Sequence, residues 1–217
     1  MKTDMQIQKD VIEELRWDPS VRETEIGVAV KDGVVTLSGV VDSYADKYAA
    51  EHAAQRVSGV KAIAEDLRVQ LVQSSKRSDT EIAHAAVTAL KWDIQVPDDK
   101  ITVKVDDGYI TLSGNVEWKF QQEAAERDVR YLTGAKGVMN LIKVMPKRAS
   151  KFEVSARIKD ALRRNAERDA DHITVEAADG KVTLKGVVRS FAERNDAERA
   201  AWSAPGVMSV DDRIAIG

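Results

Sequence analysis

One ten-residue stretch occurs three times, and no other feature restricts the fold as much. It reads DGVVTLSGVV from Asp32 to Val41, DGYITLSGNV from Asp107 to Val116, and DGKVTLKGVV from Asp179 to Val188. The copies begin 75 and then 72 residues apart. A period that long describes tandem copies of one small domain, not a solenoid of short repeats. In each copy an Asp-Gly pair separates two β-rich runs. That is the strongest short signal for a tight hairpin, because the turn needs positive φ. Gly33, Gly108 and Gly180 hold this place.

The register outward from the hairpins is constant. Ile7, Val11 and Leu15, with Ile12 beside them, form an apolar stripe at helical spacing. The offsets carry it to Ile82, Ala86 and Leu90, with Val87 beside them, and then to Val154, Ile158 and Leu162. Asp4 or Thr3 is placed to cap the first of these helices, and Pro19 ends it. A strand with one apolar face follows: Ile26, Val28 and Val30, then Ile101, Val103 and Val105, then Ile173, Val175 and Ala177. Across the turn come Val35 and Leu37, Ile110 and Leu112, and Val182 and Leu184.

Gly39, Gly114 and Gly186 close the second strand. A glycine inside a β pattern marks a bulge or a close backbone approach, and its expected use here is room for a helix crossing the sheet. A second helix is predicted over 43–57, 118–132 and 190–204, with Ala50, Ala53, Ala54 and Val57 as its inner face in the first copy. Gly59, Gly134 and Gly206 are expected to end it as C-caps. A third strand follows, and its connection through a helix makes it parallel to the second with a right-handed crossover. The predicted fold class is therefore α+β: three tandem α-β-β-α-β units, each a three-stranded mixed sheet with two helices on one face. The units span 1–72, 79–146 and 151–217. The linkers are QSSKRS, expected to be flexible, and PKRAS, where the three-residue difference in spacing falls.

Composition narrows the function classes. A unit of about 70 residues is marginal alone, so packing between neighbours is expected to contribute to stability. The net charge of −3 is split as −4 over residues 1–73, 0 over 74–147 and +1 over 148–217. None of the units has the basic footprint of a nucleic-acid binder. No apolar run approaches the length of a transmembrane span, and with no cysteine in 217 residues there is neither a disulfide nor a thiolate metal site. The first residues are charged and lack an apolar leader, so the expected location is the cytoplasm, or the periplasm if a leader has been removed.

The elements that carry chemistry elsewhere are sparse here. His52, His84 and His172 occupy non-equivalent repeat positions and read as surface residues, not as a metal or proton-relay site. Glu51, Glu126 and Glu198 are the same residue in all three units, and read either as a shared ligand site or as the solvated flank of helix two. Trp17 and Trp92 end helix one in two units, where the third has Arg164, and Trp118 begins a helix two. These tryptophans either meet a membrane or partner surface or plug the edge of a small core. Lys147, Arg148, Lys151, Arg157, Arg163 and Arg164 form a basic group suited to anionic headgroups. The uncovered sheet face of unit one, with Gly27, Ala29, Val34 and Thr36, suits contact with another unit or subunit.

The element order, the Asp-Gly hairpin, the strand-closing glycine and the glycine after the second helix together resemble the BON domain, named for bacterial osmotically inducible protein Y and nodulation proteins. The resemblance covers nearly the whole chain as three copies. It implies a non-enzymatic, transport-associated binding module of the bacterial envelope, linked to phospholipid binding, osmotic stress and envelope integrity, with no cofactor and no catalytic residues to carry over. Its expected partner is phospholipid or another envelope component. The alternative is a soluble stress-response protein acting through protein contacts or self-association.

Overall fold

The computed structural model describes residues 2–21, 26–146, 173–178 and 180–217. Unit one comprises α1 (Asp4–Trp17), β1 (Ile26–Lys31), β2 (Val34–Val41), α2 (Tyr44–Arg56) and β3 (Ala62–Val69). Unit two repeats it with α3 (Asp79–Trp92), β4 (Ile101–Asp106), β5 (Tyr109–Val116), α4 (Lys119–Arg130) and β6 (Gly137–Val144). Unit three contributes β7 (Ile173–Ala178), β8 (Lys181–Val188), α5 (Phe191–Trp202) and β9 (Ser209–Ile216). Its predicted first helix, with Val154, Ile158 and Leu162, lies outside the described residues, as do His172 and Asp179.

Each sheet has the hairpin's second strand at its centre. That strand is antiparallel to the strand before it and parallel to the one that follows helix two, as the crossover requires. The apolar stripe Ile7, Val11 and Leu15 is buried, and so is Ile82, Ala86 and Leu90. Val87, placed beside the second stripe by sequence, is instead exposed. Each of these helices packs on its sheet together with the alanines of the second helix, Ala50, Ala53 and Ala54 or Ala124 and Ala125. Small side chains let helix and sheet approach closely.

The Asp-Gly turns have positive φ at both central residues, 54° and 82° at Asp32 and Gly33 and 46° and 79° at Asp107 and Gly108. This is the type I′ geometry whose twist matches the flanking strands. The turns are also gripped from outside. Thr3 caps α1 in a capping box with Gln6. Asp4 is thereby released to accept the backbone N–H groups of Asp32 and Gly33 at 2.8 and 3.0 Å. Asp79 accepts those of Asp107 and Gly108 at 2.9 and 2.8 Å. Lys151 holds the corresponding place in unit three. An Asp79→Ala variant is expected to lose about 1–2 kcal/mol in urea-unfolding midpoint analysis, because two charge-assisted bonds to backbone donors disappear. An unchanged midpoint would show that the clamp contributes nothing.

Two expectations about glycines need correction. Gly39, Gly114 and Gly186 have φ of 134°, 144° and 154°, and pair with Ile26, Ile101 and Ile173 on the neighbouring strand. A Cβ at Gly114 would overlap the carbonyl oxygen of Lys100 and lie 3.2 Å from the Ile101 Cα. At Gly114 the close approach is thus between two backbones in the sheet, not between sheet and helix. Gly59, Gly134 and Gly206 do not cap helix two, which ends at Arg56, Arg130 and Trp202. They sit third in the tight turns that follow, closed by bonds such as Ala135 N–H to the Leu132 carbonyl at 3.1 Å. With φ of 84–95° they supply the position that a type II turn reserves for glycine, and Pro205 precedes Gly206 in keeping with that type.

The linker 73–78 is also more structured than expected. Gln73–Ser75 forms a 3₁₀ turn, and Ser78 caps α3 in a box with Glu81.

Candidate functional site

The three copies of helix two have one face in common and one face that differs. The inward face is alanine-rich throughout, because all three pack on the same kind of sheet. The outward stripe runs Tyr44, Tyr48, His52 and Gln55 in α2, Lys119, Glu123, Arg127 and Arg130 in α4, and Phe191, Asn195, Arg199 and Trp202 in α5. These stripes face one another. Arg130 lies with its guanidinium 3.3 Å from the centroid of the Tyr48 ring. Lys119 Nζ is 5.7 Å from the Trp202 ring centroid. Between units one and three, the Gly59 N–H donates to the Arg189 carbonyl at 3.2 Å, and Phe191 packs on the core of unit one. Each pair of units thus meets through its helices two, and a cleft of about 780 Å³ opens between them.

The cleft mixes charge and aromatic surface. Its walls include Tyr48, Tyr131, Trp202 and His52, together with Arg56, Arg127, Arg130 and Arg199. The cations are held by carboxylates of their own units: Arg56 by Glu14 and Asp18 at 2.7 and 2.8 Å, Arg127 by Asp93 at 2.9 Å, Arg130 by Glu126 at 3.0 Å, and Arg199 by Asp196. The Arg130 Nε–H is buried without an acceptor. His52 meets Tyr48 edge-on with ring centroids 3.9 Å apart. Burial, with Arg130 and Arg56 nearby, holds the His52 imidazole below its ordinary pKa. Burial also pushes the Tyr48 phenol and the Glu51 carboxyl up, with Glu65 adding to the latter. The Ser20 hydroxyl, and then Arg56, hold Asp18 below the usual carboxylate range.

Several readings change on these positions. His52 is not a plain surface histidine, because it forms part of a contact between units; His84 is exposed as expected. Glu51, Glu126 and Glu198 are half-buried and not a solvated flank. Glu126 and Glu198 line the cleft, and Glu198 accepts the Trp202 indole N–H at 3.2 Å. The open sheet face of unit one is not the contact between units, since Gly27 and Ala29 are exposed and the units meet through helices instead.

The tryptophans at the ends of the first helices plug no core. Trp17 is 85% exposed and Trp92 82% exposed, and Ile94, two residues on, is fully exposed. They are turned outward because the stripe ends at Leu15 and Leu90, two positions earlier, and two residues advance a helix by about 200°. Trp118 is half-buried beside Phe120 and Trp202 in a smaller pocket of about 360 Å³. Lys147, Arg148, Lys151, Arg157, Arg163 and Arg164 lie outside the described residues. No helix among the described residues is long and apolar enough to cross a membrane.

The family model of the BON domain matches residues 3–70, 78–146 and 150–217. The chain belongs to the BON domain family. Over 128 residues, 57% of its length, the chain is also similar in sequence to Osmotically-inducible protein Y of Escherichia coli (strain K12), at 31% identity and 64% of the relative. The match therefore spans less than two thirds of that relative's length. Among solved structures, the C-terminal domain of CdsD, a structural protein of the type III secretion system of Chlamydia trachomatis, is similar at 13% identity and TM-score 0.27 over 100% of both chains. The PrgH periplasmic domain is similar at 11% identity and TM-score 0.22, covering 95% of this chain and 99% of that one. Likenesses this distant carry no argument about function.

The outward stripe of helix two was the feature missed from sequence. Its signal is faint but present: aromatic Tyr44 and Tyr48 recur every four residues on a face that the sheet does not use.

Proposed function

We infer that this BON protein is a non-enzymatic module of an osmotic-stress response that engages anionic phospholipid at the envelope. The observation that carries the reading is the paired exposure of Trp17 and Trp92, 85% and 82%, at equivalent ends of two first helices, with Ile94 bare beside the second. Indole rings combine a large apolar body with a polar N–H and favour the membrane interface. The family and the osmotically inducible relative support the stress context. With a net charge of −3 the whole chain is not drawn to an anionic surface, so a local basic face must assist. Lys147, Arg148, Lys151, Arg157, Arg163 and Arg164 are the candidates, each adding about 1 kcal/mol near such a surface. Cell fractionation decides whether the protein meets the membrane from the cytoplasmic or the periplasmic side.

Flotation with phosphatidylglycerol and cardiolipin vesicles tests the reading. The parent is expected to bind at low salt, to bind less at 0.5 M salt, and to ignore phosphatidylcholine. Trp17→Ala/Trp92→Ala is expected to weaken binding about tenfold or more with an unchanged melting temperature, because neither ring touches a core. Arg157→Glu/Arg164→Glu is expected to remove the salt-sensitive part. A parent that ignores anionic vesicles at low salt sinks the lipid reading in favour of action through protein contacts.

A further inference from the structure

The open face of the unit two sheet differs from the same face in its neighbours. The register sets Tyr109 over Gly137 and places Met139 and Leu141 beside Thr111 and Ser113. Tyr109, Met139 and Leu141 are 54–59% exposed on this face, with Lys143 next along β6 and the equally exposed Met145 just past its end. A Cβ at Gly137 would come within 2.8–3.0 Å of the Tyr109 ring, so the ring lies over Gly137. In unit three the offset of 72 puts Lys181, Asp211 and Arg213 where unit two has Tyr109, Met139 and Leu141, and these three form a chain of ion pairs. In unit one the same positions are Val34, Ala64 and Asp66. The fold therefore tolerates charge at these places, and unit two presents apolar surface in its absence.

We propose that this face is an interface with a second copy of the chain, making a two-fold dimer through the unit two sheets. Its charges suit a copy of itself. Lys104 and Asp106 lie two residues apart on the same face of β4, 3.7 Å from each other and well exposed. Across a two-fold axis level with Val105 and Ile110, each lysine stands against the partner's aspartate and Tyr109 and Met139 of the two copies meet about the axis, as an isologous contact requires, with Leu141 at the rim. An anionic bilayer fits less well, because Asp106 and Asp107 stand exposed at the end of the strip. One three-stranded sheet face falls short of the roughly 800 Å² per partner of a standard interface, so the dimer is weak, with a dissociation constant on the order of 10–100 µM. The proposal does not depend on the membrane reading.

Sedimentation velocity of the full chain from about 5 to 500 µM, a span chosen to bracket that constant, tests it. The parent is expected to shift from monomer to dimer across the range. Met139→Asp/Leu141→Arg, which copies the unit three residues at the same positions, is expected to raise the dissociation constant at least about tenfold with its far-ultraviolet dichroism and melting unchanged. Ala64→Asp, on the same face of unit one, is expected to leave the dimer intact. Should the double variant misfold, the rim decides: Lys104→Asp is expected to weaken the dimer, and Lys104→Asp/Asp106→Lys to restore it. A parent that stays monomeric at 500 µM overturns the proposal, and so does a dimer that is indifferent to both the apolar and the rim changes.

Discussion

A Gly114→Val chain is expected to lose most or all of the stability of unit two. Two costs add at this position. Its φ of 144° is one that a β-branched residue adopts only under strain, on the order of 1–3 kcal/mol. The added Cβ also runs into the carbonyl of Lys100, a backbone atom with no rotamer to move to, and overpacking costs a further 1–3 kcal/mol or so. Together they approach the whole stability of a small domain, about 5 kcal/mol. Gly114→Ala separates this cause from the alternative of a helix pressing on the sheet. If only helix approach mattered, a single methyl would be absorbed much as the buried alanines of α4 are. Here the methyl itself is the clash, so alanine is expected to cost about 2 kcal/mol or more. Urea melts with amide hydrogen exchange measure the loss and localise it to unit two. Gly39→Val and Gly186→Val, with φ of 134° and 154°, are expected to weaken their own units similarly. Parent-like melting of all three valine variants would refute the backbone argument.

Asp128→Ala is expected to stabilise the protein. Units one and three have Ala53 and Ala200 at this place on helix two, both buried. Unit two buries a carboxylate there, with its side chain 15% exposed and Oδ2 lacking any partner. Its Oδ1 makes only a long ion pair with Arg127, at 3.7 Å, and that guanidinium pairs more closely with Asp93, at 2.9 Å. Burial first, and then the neighbouring Asp93 charge, raises the Asp128 pKa. Between the ordinary and the raised value the folded state therefore holds a proton that the unfolded chain has lost. Stability falls as the pH rises from the ordinary aspartate value of 3.8 through the raised folded value, and the penalty is complete at neutral pH. Alanine removes an unsatisfied buried group, a gain of about 1–3 kcal/mol at pH 7. The gain is expected to shrink as pH falls toward 4, because the protonated parent no longer carries the penalty. Paired thermal melts at pH 7, 5 and 4 check both sign and window. A variant that melts below the parent at pH 7 would show that the long Arg127 pair outweighs the burial of the carboxylate.

The division of labour between sequence and tertiary structure follows from the range of the forces involved. What recurs every 75 or 72 residues was readable directly: the α-β-β-α-β order, the type I′ turns at Asp32-Gly33 and Asp107-Gly108, the buried stripes of the first helices, the alanine faces of the second. These are set by local backbone preference and by the period of apolar residues, and three copies in register reinforce each other. What differs between copies was not readable. Tyr48, His52, Arg130 and Trp202 look like ordinary polar-face residues until three helices are brought together, because a contact between units leaves no period in the sequence. Trp17 and Trp92 lay open to two readings for the same reason: hydrophobicity says that a ring prefers burial, and only the tertiary structure shows whether a neighbour stands there to bury it. Gly114 was recognisable as a place of close approach, yet the approaching atom, the Lys100 carbonyl, was not, since register between strands is a tertiary fact. The repeat thus determined the unit, and the surfaces on which the units differ determined their assembly.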